Sequence, residues 1–189
     1  MRKKFAGIAT AFGLGVTAIA GFAFADSPSR ESAESASEKV FVHNDRLEVG
    51  SAAELAKLSE QVVSGEFVGV ARNGMGGEYG LARPDDINQP AIQVWKFKVE
   101  KTLKGDAKGE VLVTRYDANK VVSEESPVSQ GMRAVLFLSK EINGARVVVG
   151  GDQGILLRSA GEKLSPINRQ AKALPDAGNQ EALTNTVTD

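Results

Sequence analysis

The sequence predicts a mainly β protein: a small closed or partly open antiparallel barrel with one short helix at its entry. Three observations predict it. About five to seven short apolar runs recur between residues 61 and 167, separated by Gly-bearing turns. One run, 92–103, alternates cleanly between apolar and charged side chains. Only one stretch, beginning at Ser51, joins a helix start signal to helical spacing. Strands in this number with so little helix must bury one face, and a sheet curled on itself also hides its edges.

The elements follow in order. Residues 1–25 open with Met1-Arg2-Lys3-Lys4, continue as an uncharged apolar run and end Ala23-Phe24-Ala25. Basic cluster, apolar run and small-x-small site make a secretory signal peptide. The alternative is a permanent anchor, since the run is about long enough to span a bilayer; its many Gly and Ala and the cleavage signature favour removal. Residues 26–39, DSPSRESAESASEK, hold no large apolar side chain and read as a flexible linker. The barrel domain is assigned to 40–167, with a short entry strand within 40–49.

Ser51-Ala52-Ala53-Glu54 matches a capping box, in which the Ser hydroxyl accepts from the Glu54 amide and Glu54 reaches back. Leu55, Leu58 and Val62 then recur on one face, giving a helix near 52–60. VVSGEFVGV (62–70) is a β-branched strand in which Gly65 and Gly69 signal a bulge or a sharp bend. A long Gly- and Pro-rich loop covers 73–90. In 92–103, Trp95, Phe97 and Val99 share one face and Lys96, Lys98 and Glu100 the other. A KGDAKGE turn leads into VLVTRY (111–116), and 117–132 is a polar loop. AVLFL (134–138) is apolar on both faces, as a doubly covered central strand must be. Asn143-Gly144 is a hairpin signal joining it to 146–150. Strands near 155–159 and 163–167 follow. Residues 168–189 lack a sustained apolar period and are read as a disordered tail. Burial of Trp95, Phe97 and Phe137 contributes about 2–3 kcal/mol each.

Composition narrows the chemistry. The chain has 23 Lys and Arg, 24 Asp and Glu, one His and no Cys. Removing residues 1–25 from 189 leaves 164, enough for one domain with tails. It also removes three cations and no acid, moving the formal charge from −1 to about −4. A weakly acidic surface does not favour nucleic acid or anionic lipid. Without Cys there are no disulfides, thiolate metal ligands or cysteine nucleophiles.

VVSGEFVGV, FKVEKTLKG (97–105), AVLFL and VVVGGDQG (147–154) stand in an order that resembles small secreted bacterial domains with a barrel of the oligonucleotide/oligosaccharide-binding (OB) type. More distantly it is similar to the barrel of netrin-like modules and tissue inhibitors of metalloproteases. The resemblance covers about 61–157 and implies an OB-like barrel that binds an extended ligand along one sheet face and its loops. The metalloprotease inhibitors act through an N-terminal cysteine, which this chain lacks, so that activity does not carry over.

Arg72, Tyr79, Arg115 and Tyr116 are the polar and aromatic candidates for a binding face. His43, the one histidine, has no Cys or second His with which to form a zinc site or a triad, and reads as a surface residue. Glu78, Asp85, Asp86 and Asn88 supply oxygen donors in one loop but lack the EF-hand spacing, so a solvated loop is the default. Glu66, Glu100, Glu110, Glu124 and Glu125 are candidates for an opposed carboxylate pair, although strand glutamates mostly face solvent. LPDAG (174–178) resembles the cell-wall sorting pentapeptide Leu-Pro-x-Thr-Gly, with Ala177 in the Thr position and no apolar stretch behind it. The expected function is a secreted, non-catalytic binding or accessory module of the cell envelope or medium, without cofactor or metal, taking a protein or glycan partner. It is not expected to bind nucleic acid, nor to insert in a membrane after cleavage. The alternatives are a carboxylate-based hydrolase and a purely structural surface protein.

Overall fold

The computed structural model describes residues 40–42, 49–83, 85–168 and 174–188. The predicted signal peptide, the linker and His43 lie outside them. The chain runs β1 (Val40–Val42), α1 (Ala52–Leu58), β2 (Gln61–Met75), β3 (Ala91–Lys104), β4 (Glu110–Tyr116), β5 (Val121–Ser123), β6 (Arg133–Leu138), β7 (Arg146–Val147), β8 (Ile155–Arg158), β9 (Leu164–Pro166) and α2 (Gln180–Thr188). Short 3-10 turns stand at Gly76–Tyr79 and Gly151–Gly154.

Seven strands form one mixed sheet in the order β7-β4-β3-β2-β6-β8-β9, and β1 pairs with β5 in a separate two-stranded sheet. The seven-stranded sheet is open, with β7 and β9 at its ends, so its ladders do not close a barrel. Nor is it purely antiparallel. β7 turns back from β6 and therefore runs in the direction of β4, which it pairs in parallel; β1 and β5 are parallel too. Past β7, Val148 bridges back to Leu138, and the Val149 amide donates to the Phe137 carbonyl at 2.9 Å.

β2 is the spine. Its first half pairs with β6 through Glu66, and its whole length pairs with β3 to Met75. It thus extends into the segment read as loop from residue 73: Asn73, Gly74 and Met75 take ladder partners in Gln93, Ile92 and Ala91, and pairing overrides their poor strand propensity. The register shifts between Ser64 and Gly65 and between Phe67 and Gly69, where the glycines signalled irregularity. A Cβ at Gly65 would overlap the Lys98 carbonyl.

Both sheet faces are covered. Val63, Phe67, Phe97, Val113, Leu136, Leu138 and Ile155 form one buried cluster, and Phe67 meets Phe97 and Trp95 edge to face at 5.0 and 6.0 Å. Behind the sheet, α1 and α2 pack Leu55, Ala56, Leu183 and Val187 against Val62, Val135, Phe137 and Leu156. Residues 134–138 are accordingly all buried. A third cluster gathers Tyr79, Ile92, Val94, Tyr116, Val121 and Ala145.

The second helix corrects the expectation of a single one. α2 lies in the tail read as structureless. Its own apolar period is short, and it is held by tertiary contacts: Leu183 is fully buried, and Gln180 Oε1 accepts from Ser64 Oγ at 2.8 Å. The LPDAG segment has a packing role. Leu174 and Ala177 are buried in the helix-side cluster, and the Asp176 carboxylate accepts from the Ala52 and Ala53 amides at 2.7 and 3.0 Å. Those amides have no partner inside α1.

Candidate functional site

β3 and β4 set Gln93 opposite Arg115 and Trp95 opposite Val113, so Gln93, Trp95 and Arg115 share one face. The connection that leaves β4 covers this face. It begins at a turn in which buried Asp117 accepts from the Asn119 amide at 3.1 Å and its carbonyl from Lys120 and Val121. It then passes through β5, Ser126 and Pro127. Between face and connection lies a concavity of about 330 Å³ lined by Val70, Gln93, Trp95, Arg115, Tyr116 and the 118–128 segment.

One wall is fixed by a buried ion cluster. Arg115 Nη2 donates to Asp152 Oδ1 at 2.9 Å and to the Ser126 carbonyl at 2.8 Å, while Nη1 lies 3.3 Å from Glu125 Oε2. Asp152 also accepts from the Ser126 hydroxyl at 2.7 Å and its amide at 2.9 Å, and from Asn168 Nδ2 at 3.5 Å. Burial is the largest single influence on the Asp152 carboxyl and raises its pKa. The Ser126 hydroxyl, the Arg115 charge and hydrogen bond, and the Ser126 amide together outweigh it, leaving the pKa below the ordinary carboxylate range. Asp152 therefore stays ionised and serves as a fixed acceptor. It sits in the 3-10 turn Gly151–Gly154, which Gly150 and Gly151 enter with positive φ.

The Arg115 cation is already paired with two carboxylates, Glu125 and Asp152, which leaves this cluster a formal charge of −1 and no free cation. What remains for a ligand is neutral. Trp95 is half-buried, and neither its indole N–H nor the Gln93 and Asn119 side-chain amides has a hydrogen-bond partner among the described residues. Pro127 and Val128 add apolar surface. An aromatic ring beside neutral donors and acceptors fits an uncharged polar molecule with one apolar face.

Of the sequence-selected residues, Arg115 and Tyr116 line the concavity. Arg115 is buried and structurally committed, and Tyr116 presents an edge from the third cluster. Arg72 and Tyr79 are elsewhere. Arg72 Nε donates to Tyr79 Oη at 3.0 Å, and Arg72 Nη2 to the Asn143 carbonyl at 3.1 Å. Asn143 and Gly144 both take positive φ, as a tight hairpin turn requires, and Asn143 Nδ2 donates to the Glu78 carbonyl. That pair braces two loops. Trp95, Gln93, Asn119 and Asp152, which line or brace the concavity, were not among the sequence-selected residues. The available signal for Trp95 was its polar N–H two residues from Gln93, on the same strand face.

Three of the five candidate carboxylates go to separate cations. Glu100 accepts from Arg133 at 3.0 Å and from Arg158, and the Arg158 hydrogen bond is the chief cause of its lowered pKa. Glu110 lies 4.0 Å from Lys96, and Glu125 belongs to Arg115. A second concavity, of about 570 Å³, opens between α1, α2 and the end of β3. Its Lys104 is spent on α1, donating to the Ala56 and Ser59 carbonyls at 2.7 Å each.

No protein-family model matches the chain, and no curated protein matches it.

Proposed function

We propose that this protein is an exported, non-catalytic binding module of the cell envelope or extracellular medium, which takes a neutral polar group of a glycan or protein partner in the Trp95 concavity. The observation that carries the reading is the pairing of an accessible tryptophan with unengaged neutral polar side chains, against a wall whose one cation is already paired. A partly open, OB-like barrel is the architecture we assign to it. Its support is the strand order β7-β4-β3-β2-β6 together with the return of Val148 to Leu138. On that reading the ligand lies on the sheet face and loops such barrels use. Export is supported by the basic cluster, apolar run and Ala-x-Ala site at the N-terminus.

A non-catalytic role is favoured over a carboxylate hydrolase by the acids beside the concavity. A general acid needs a raised pKa; Asp152 is lowered and Glu125 is bound to Arg115. Trp95 is the one tryptophan in the chain, so its emission reports on this concavity directly. Titration with neutral oligosaccharides and with extracted envelope polymers is expected to change that emission saturably. The double variant Gln93→Ala, Asn119→Ala should abolish the change. Turnover of a glycan that disappears in Glu125→Gln, with no saturable binding by the wild type, would overturn the reading.

A further inference from the structure

We propose that β1 is a clamp on the rim of the Trp95 concavity, so that its pairing with β5 regulates access; this rests on reading the concavity as the binding site. β5 stands outside the seven-stranded sheet, and β1 is the one strand it pairs with among the described residues. The parallel register sets Val40 opposite Val121, Phe41 opposite Val122 and Val42 opposite Ser123. Ser123 is thus both a rung of that ladder and part of the concavity's lining.

The rim has a fixed point on each side of this ladder. Before it, Asp117 holds the turn: its carbonyl accepts from Lys120 and Val121, and its amide donates to the Ala91 carbonyl. After it, Ser126 is held by Asp152 and Arg115. Between these anchors, the strand pairing of the rim comes from β1. Val121 is buried beside Tyr116 in the third cluster, so a shift of β5 is felt at a second lining residue. A ladder of three residue pairs is marginal by itself and opens far more readily than the central sheet. It is the low-stability contact whose opening releases the rim. Coupling is reciprocal: a ligand that prefers the closed rim strengthens β1 pairing by the factor by which β1 pairing strengthens ligand binding.

Hydrogen exchange and acrylamide quenching of Trp95 test this without a ligand. Phe41→Pro removes a strand N–H and disfavours pairing. In that variant, exchange across 121–126 should accelerate about tenfold and quenching should rise about twofold, while 134–138 in β6 stays protected. Phe41→Gly, a milder lesion, should move both readouts in the same direction by less. Unchanged exchange at 121–126 in both variants overturns the clamp. Faster exchange with unchanged Trp95 quenching overturns its hold on the concavity. If Phe41→Pro loses β6 protection as well, Phe41→Gly is decided by the same two criteria. A failed ligand search leaves these outcomes intact, and a failed clamp leaves the ligand titration intact.

Discussion

Gly105 and Gly109 sit in one turn under different constraints. Both take positive φ, but a Cβ at Gly105 would overlap the Gln61 side chain, whereas Gly109 has open space. Gln61 Oε1 accepts there from the Asp106 and Ala107 amides at 3.0 and 3.1 Å, so it cannot retreat without breaking the turn. Gly109→Ala should cost about 1 kcal/mol from backbone conformation alone. Gly105→Ala should cost on the order of 3 kcal/mol, because overpacking adds to that term. Urea denaturation of the two variants separates the contributions, and equal losses would remove Gln61 from the explanation. Asp152 makes a sharper case. Its replacement by Asn leaves Arg115 buried with one carboxylate fewer, and breaking such a pair costs about 3–5 kcal/mol. The pH dependence has a definite sign. The folded-state pKa of Asp152 is depressed, so its contribution is present above the unfolded value, about 3.9, and is lost as pH falls through the folded value. Glu100 acts in the same direction. The urea midpoint of the wild type should therefore fall steeply below about pH 4, and less steeply in Asp152→Asn; parallel acid limbs would show that the carboxylate does not carry the effect.

At the scale of elements, α1 shows how a helix too short to stand alone is made stable. Seven residues are well below the length at which isolated helices persist. The Ser51 hydroxyl accepts from the Glu54 amide at 3.1 Å, as the capping box requires, but Glu54 reaches back to Gly50 at 2.9 Å and not to Ser51. Asp176 takes two further amides, and Lys104 neutralises the C-terminal carbonyls. Asp176→Ala should cost about 1 kcal/mol and speed exchange in α1 selectively; uniform acceleration across the sheet would assign Asp176 to the fold at large. α2 depends on burial instead, and Leu183→Ala should cost about 2–5 kcal/mol by thermal or urea unfolding. The local signals of α1 could be read in the sequence because its cap lies within four residues. Those of α2 were thinner. Asn179 caps it, with Oδ1 accepting from the Ala182 amide at 2.8 Å, but its apolar face is Leu183 and Val187 alone. The remaining support comes from Ser64 and Arg158, far away in sequence, where no periodicity reports. β5 escaped for a related reason, since its partner strand stands some eighty residues earlier.

At the scale of the molecule, alternation in 92–103 showed which side chains share a face, and from that the inward position of Phe97 follows. It could not show that the connection after β4 would fold over the same face and turn Trp95 from core into lining. Arg115 and Tyr116, selected because a charged and an aromatic side chain end an apolar strand, both line the concavity. The partners of Arg115, Asp152 and Glu125, come from two other segments, so it was not legible that this cation is unavailable to a ligand. The formal charge is −1 for the whole chain and about −4 without residues 1–25, and the Arg115 cation is matched within the wall. A ligand recognised by stacking on Trp95 and by neutral hydrogen bonds releases few counterions. Its affinity should change less than about twofold between 50 and 500 mM salt, because screening acts on net charge and not on these contacts. A partner held through phosphates would lose several orders of magnitude over the same range. Titrations followed by Trp95 emission at the two salt concentrations distinguish the cases, and a steep salt slope would transfer recognition from the Trp95 face to the surface lysines of β3.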